Sequence, residues 1–205
     1  MADTKISNLT QAASGIGTQE FAINEAGTSK KITLDQVSQF VNSSGVHVSL
    51  ASDATANGLT TAVRVSGMDV VVGSGTYVFE YYIRAQLADT GNSPKFAVNH
   101  TGTTTSFMYD FFFPDAGTAA STGAIDQEVN NTSGQIWAFQ ATRTKNTLLG
   151  PEVSVDTANA DIMFRITGLM VVTVSGTLEL YQGSEVAGNL ITIKAGTCLV
   201  LYKTG

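Results

Sequence analysis

Over residues 76–86 apolar side chains recur at every second position, with Tyr77, Phe79, Tyr81 and Ile83 on one face and Val78, Glu80, Tyr82 and Arg84 on the other. A period of two belongs to a pleated strand, since a helix would scatter these side chains around its circumference. Shorter segments of strand character lie at 47–50, 62–65, 95–99, 106–113, 136–142, 152–155, 161–167, 169–174, 177–181, 190–193 and 197–202. Gly67, Gly75, Gly102, Gly117, Gly134, Gly168, Gly176, Gly188 and Gly196 punctuate them. Many short strands, with turn residues between them and no helical stretch, predict a mainly β domain over residues 46–205. The expected form is an antiparallel β-sandwich of the jelly-roll kind.

Residues 42–45, Asn42-Ser43-Ser44-Gly45, read as a polar linker, and the pattern before them differs. Phe21-Ala22-Ile23 alternates as a strand, residues 25–29 supply a turn containing Gly27, and Lys31-Ile32 opens a return strand. Thr33 with Gln36 three residues on forms a capping box, and Leu34, Val37, Phe40 and Val41 then share one face of a short helix. A hairpin and one helix, about 40 residues in all, bury too little surface to hold together alone. Residues 1–41 therefore need a surface to dock on.

Charge excludes several functions. Eleven basic and 17 acidic residues give a net charge of -6, and only 14% of residues are charged. Binding to a nucleic acid backbone requires clustered cations, and Lys30-Lys31 is the one adjacent pair. No nucleic-acid partner is expected. The longest apolar run, 169–174, is too short to span a bilayer, so membrane insertion is not expected. Met1-Ala2-Asp3-Thr4-Lys5 lacks the apolar run of a signal peptide. So few charges would leave an exposed surface poorly soluble, which predicts that part of it is buried between subunits.

The residues that carry chemistry are sparse. His47, His100 and Cys198 are too far apart in sequence to form a metal-ligand motif, and Asp156 with Asp161, or Asp110 with Asp115, follows no calcium-loop pattern. Those aspartates read as turn caps, and His100 as the end of a strand. Cys198, flanked by Leu199, Val200 and Leu201, reads as a core thiol. Gly73-Ser74-Gly75 precedes a strand and lacks both the helix of a nucleophile elbow and the Lys of a phosphate loop. No catalytic residue, cofactor or metal is expected.

The aromatic run offers an interaction surface instead. Phe107, Tyr109, Phe111 and Phe113 share one face, with Met108, Asp110 and Phe112 on the other. Apolar character on both sides reads either as a subunit interface, with Trp137 as a further member, or as a patch on which a host glycan stacks.

The segments Lys5-Ile6-Ser7-Asn8-Leu9, Glu20-Phe21-Ala22-Ile23-Asn24 and Gly27-Thr28-Ser29-Lys30-Lys31-Ile32-Thr33 through Val37 resemble, in order, a module at the N-terminus of many tailed-bacteriophage structural proteins. The resemblance implies attachment to a virion through Ile6, Leu9, Phe21, Ile23, Lys30, Lys31, Ile32, Val37 and Phe40. The remainder, with Gly75-Thr76-Tyr77-Val78-Phe79 and the later Lys194-Ala195-Gly196-Thr197, is similar to phage decoration and fibre-head domains and to trimeric tumour-necrosis-factor-like and C1q-like jelly rolls. That likeness implies a homotrimer. The expected partners are further copies of the chain and the major capsid protein, or else tail or portal-vertex proteins. The expected place is the virion, on the capsid exterior or at a tail or vertex, after synthesis in the host cytoplasm. A short tail fibre that recognises a host surface glycan is the alternative expectation.

Overall fold

The computed structural model describes residues 20–25, 28–33, 45–115, 136–150 and 157–204, with the backbone alone given for 20–25, 28–30, 32, 114–115 and 136–139. The chain divides into two compact units, Met1–Ser44 and Gly45–Gly205. In the first, β1 (Glu20–Glu25) and β2 (Thr28–Thr33) form an antiparallel hairpin. Phe21 lies opposite Ile32 and Ile23 opposite Lys30, so the return strand starts at Thr28 rather than Lys31. Thr33 ends β2 opposite Glu20. The helix read after it, with Val37 and Phe40, lies outside the described residues, as do Ile6 and Leu9.

The second unit is all β among its described residues. In chain order its strands are β3 (Val46–Ser49), β4 (Val63–Val72), β5 (Gly75–Leu87), β6 (Pro94–His100), β7 (Thr104–Asp115), β8 (Ile136–Thr142), β9 (Ile162–Val172), β10 (Gly176–Ser184), β11 (Ile191–Ile193) and β12 (Cys198–Lys203). Every pairing between them is antiparallel. The larger sheet runs β3-β12-β5-β9-β7-β8, with β11 also paired to β5, and the smaller runs β4-β10-β6. The segment read as a strand at 152–155 lies outside the described residues.

Alternation along each strand builds the core. Tyr77, Phe79, Tyr81 and Ile83 are buried, while Val78, Glu80 and Tyr82 are half-buried and Arg84 is exposed on the opposite face. The two sheets meet through aromatic rings. Phe96 of β6 sits 5.5 Å from both Phe111 of β7 and Phe164 of β9, and those two stack at 5.6 Å. Such ring pairs contribute about 0.5–1.5 kcal/mol each beyond the area they bury.

Two glycines behave differently from the punctuation expected of them. The segments 161–167 and 169–174 are one strand, because β9 passes straight through Gly168. Gly168 faces inward opposite Phe79, and a Cβ there would collide with the Phe79 ring and with the Met108 carbonyl. The missing side chain is the space the ring occupies. Gly67 lies inside β4 at φ +84, in the stretch where the register against β10 shifts. Glu179 opposes Asp69 but Tyr181 opposes Arg64, so β4 bulges between Arg64 and Asp69.

Gly168→Ala is expected to destabilise the sandwich by about 3 kcal/mol, the upper end of overpacking costs. Gly73, where a Cβ meets nothing, should accept alanine with little change. Urea unfolding midpoints of the two variants check the contrast.

Candidate functional site

Four residues expected at a subunit interface belong to the chain's own core. Phe107, Tyr109, Phe111 and Phe113 face inward and are buried, which corrects that expectation for these four. The Tyr109 hydroxyl donates to the Thr147 carbonyl, and burial pushes its pKa up to about 12. Phe112 faces the other way and is half-buried, its backbone opposite Arg165 of β9 and Phe139 of β8. Trp137 lies in β8 opposite Pro114, and its side chain is outside the described residues. Of the attachment residues, Phe21, Ile23, Lys30, Lys31 and Ile32 fall on the β1–β2 hairpin, with Lys31 exposed.

The outward face of the larger sheet is apolar for its position. Val78, Leu169, Val171 and Val200 are half-buried there beside Met108 and Tyr202, which are 39% and 46% exposed. A polar knot interrupts it. Arg165 Nη2 donates to Glu80 at 2.7 Å, the Tyr82 hydroxyl donates to the same carboxylate at 2.5 Å, and Arg165 lies 5.7 Å over the Tyr82 ring. The Tyr82 hydroxyl first, and then Arg165, hold the Glu80 carboxyl below its ordinary range. Cys198 is also on this face, opposite Tyr82, and not in the core as its neighbours suggested. Leu199 and Leu201 take the inward positions, and partial burial pushes the thiol pKa up.

On the outward face of the smaller sheet, Glu179 is buried yet well supplied with donors. Arg64 Nη1 reaches it at 3.3 Å, Asn99 Nδ2 at 3.3 Å and the Tyr181 hydroxyl at 2.9 Å. Among the described residues no three His, Cys, Asp or Glu come together as metal ligands.

A groove lies at the edge of the sandwich, between the segment 54–57 and β4, with a volume of about 220 Å³. Backbone bonds from Ala54 N to the Ile193 carbonyl, and between Asn57 and Ile191 in both directions, fasten the segment alongside β11. Val63, Val65 and Ser66 line it from β4, just where that strand begins to bulge, and Gln182 lines it from β10. Asn57 and Gln182 are only 9% and 2% exposed, whereas Thr55, Ala56 and Arg64 stand exposed at the rim. Asn57 Nδ2 and Gln182 Oε1 meet no protein partner. Such atoms are costly when buried, at about 1–3 kcal/mol each, and two at one groove call for an explanation. Neither residue was singled out from sequence. Gln182 continues the inward series Leu178, Leu180, so extending that strand by one residue pair would have exposed a polar side chain aimed at the core. Asn57, in a connection, carries no such signal.

His100 closes β6 and is 2% exposed, with neither ring nitrogen hydrogen-bonded. Lys145 Nζ donates to the His100 and Gly102 carbonyls at 3.0 and 2.7 Å. Burial lowers the imidazole pKa below 6.5; the neighbouring Gly102 backbone opposes it, Lys145 adds to it, and Glu179 opposes it more weakly. The unfolded chain therefore takes up a proton that the folded chain refuses. Stability is full above the ordinary value of 6.5 and falls as pH drops toward the lowered one. Asp53, Glu80 and Asp161 are lowered carboxyls whose contribution is lost only at more acid pH, below their ordinary values. Urea midpoints should decline between about pH 7.5 and 5, and His100→Gln should flatten that decline.

The chain matches no protein-family model, and a search of curated proteins finds no match.

Proposed function

We propose that the chain is a virion structural protein, a homotrimeric decoration protein anchored to a capsid through residues 1–41 and projecting a jelly-roll sandwich. The observation that carries this reading is the division at Ser44. On one side is a hairpin unit too small to fold around a core of its own, and on the other a sandwich with a complete one. The hairpin contains the Gly27-Thr28-Ser29-Lys30-Lys31-Ile32-Thr33 stretch that resembles phage attachment modules.

Strand pairing supports the jelly-roll form. Early strands pair with late ones, β3 with β12, β4 with β10, and β5 with both β9 and β12, as in a ribbon rolled so that its strands alternate between two sheets. The apolar outward face of the larger sheet supports self-association, and with the four inward aromatics excluded it is the face offered to other copies. Three anchors on one trimer raise avidity when they engage together. Contacts that only the mature shell presents would stabilise that state by linkage. Recognition of a host glycan draws on a different observation, the groove at the sandwich edge. It belongs to the alternative reading, a short tail fibre that recognises a host surface glycan.

The test is the copy number of this chain relative to the major capsid protein in purified particles, by quantitative mass spectrometry. A ratio of the same order is expected, and absence from the particle overturns the reading. Removing residues 1–41 should leave a folded sandwich that no longer binds particles. For the trimer, Leu169→Lys on the outward face is expected to give monomers by light scattering with an unchanged β-type circular dichroism spectrum. A wild-type chain that is already monomeric overturns the assignment.

A further inference from the structure

The smaller sheet ends at β6, and the segment 143–150 that follows β8 runs along that edge. Phe96 N donates to the Leu149 carbonyl at 2.7 Å, Leu149 N donates to the Phe96 carbonyl at 2.8 Å, and Asn146 N donates to the Val98 carbonyl at 2.9 Å. The segment thereby covers backbone groups that an edge strand would otherwise offer to another chain. Its two halves are held differently. Leu149 and Gly150 are buried, whereas Arg143, Thr144 and Asn146 are exposed, and Asn146 takes a φ of 56°, a conformation that favours glycine. Besides the Asn146 bond, one side chain secures this outer half. Lys145 Nζ donates to the His100 and Gly102 carbonyls at 3.0 and 2.7 Å and lies 5.9 Å over the Phe107 ring. The Tyr109 hydroxyl, donating to the Thr147 carbonyl, fixes the point where the outer half meets the inner.

His100 sits under this clamp. Its carbonyl is one of the two that Lys145 binds, and its ring lies against Gly102, where a Cβ would come within 2.8 Å of His100 Cε1. His100 is 2% exposed, and neither ring nitrogen has a partner among the described residues. The charged groups that act on it are Lys145 from the strap and Glu179 from β10. The turn 101–103 and the stretch 173–177 contain no titratable side chain. Glu179 is already engaged by Arg64, Asn99 and Tyr181.

A protonated ring at this position has two N–H groups with no acceptor and adds a positive charge beside the Lys145 ammonium. One wall must open for water to reach it. The turn 101–103 is the firmer wall. Thr101 N donates to the Thr177 carbonyl at 3.0 Å and Thr177 N to Thr101 Oγ1 at 2.8 Å, while Thr173 N and Val174 N donate to the Thr103 carbonyl at 2.9 and 3.2 Å. We propose that residues 143–147 are an acid-released strap: protonation of His100 displaces Lys145, and the strap lifts away to bare the C-terminal half of the β6 edge. Opening restores the ring to its ordinary value of 6.5, so the open form takes up a proton and gains population as pH falls through that value. The opening is local and precedes unfolding of the sandwich. The inference concerns the purified chain and does not rest on its place in a virion.

Amide hydrogen exchange by NMR on the full chain tests it, with rates expressed as protection factors so that the pH dependence of exchange itself cancels. Asn146 N–H reports the strap and Thr101 N–H the firmer wall. Between about pH 7.5 and 5.5 the Asn146 factor is expected to fall about five- to tenfold, the range for a group of ordinary value 6.5 that stays neutral while the strap is closed. It should also be the smaller of the two factors throughout. An Asn146 factor that changes less than about twofold overturns the coupling to His100. Equal factors for the two amides at both pH values mean that the sandwich opens as a whole, which overturns the strap.

Two variants assign the parts. His100→Gln, with its fold intact by circular dichroism, should make the Asn146 factor independent of pH over this range. Persistence of the wild-type fall in that variant overturns His100 as the trigger. Lys145→Met keeps the aliphatic stem and removes the ammonium, so protection of Asn146 should be lost already at about pH 7.5 while that of Thr101 is retained. Full protection of Asn146 in Lys145→Met overturns the clamp, and this variant and the wild-type profile decide the matter if His100→Gln does not fold.

Discussion

The packing of Phe96 against Phe111 and Phe164 is the contact on which the sandwich depends, because it joins the smaller sheet to two adjacent strands of the larger one. Phe96 comes from the smaller sheet and the other two from adjacent strands of the larger one, with ring separations of 5.5, 5.5 and 5.6 Å. The aromatic layer continues through Phe113 in one direction, while Phe79, Phe107 and Tyr109 form a second cluster nearby. Interiors are packed as densely as organic crystals, so each ring dictates what its neighbours can be. Phe79 requires a glycine at position 168, and β9 remains straight and paired on both sides only because that residue has no side chain. Gln182 sits beside Phe96 in the ladder, so the same joint that closes the core sets the floor of the edge groove.

Polar groups within the sandwich are nearly all accounted for, which gives the exceptions their meaning. Thr197 accepts from Arg84 N and donates to the Arg84 carbonyl, bridging the point where the partner of β5 changes from β11 to β12. Asn92, itself fully buried, accepts from Val186 N and the Ser184 hydroxyl. Glu179 has three donors. Against that standard the buried side-chain atoms left without partners among the described residues are few: Tyr81 OH, the His100 ring nitrogens, Asn57 Nδ2 and Gln182 Oε1. The first two residues lie inside the core, where the cost is one of stability. The last two belong to residues that line the edge groove, with the unpartnered atoms themselves closed off from solvent.

Much of the fold was legible locally. The faces of β5 and β7 follow from alternation, and β8 has the bounds its sequence pattern marks out, Ile136–Thr142. Misreadings arose where a residue's role depended on a partner. Cys198 has apolar neighbours, but the register places Leu199 and Leu201 inward and turns the thiol to the outer face. The aromatics of β7 were read as two-sided, yet four of them fill the chain's own core, leaving Phe112 to the outside. Gly168 and Gly67 looked like turns and are a packing notch and a bulge.

The sequence by itself determined the β class of the sandwich and, along most strands, which side chains turn inward. Those properties have a period of two residues and require no knowledge of other segments. Tertiary structure decided which strands meet, why a strand continues through Gly168, and that Asn57 and Gln182 face one groove. These depend on register between segments far apart in the chain, where a shift of one residue would reverse every side chain, and the fit of Phe96, Phe111 and Phe164 selects the arrangement that holds.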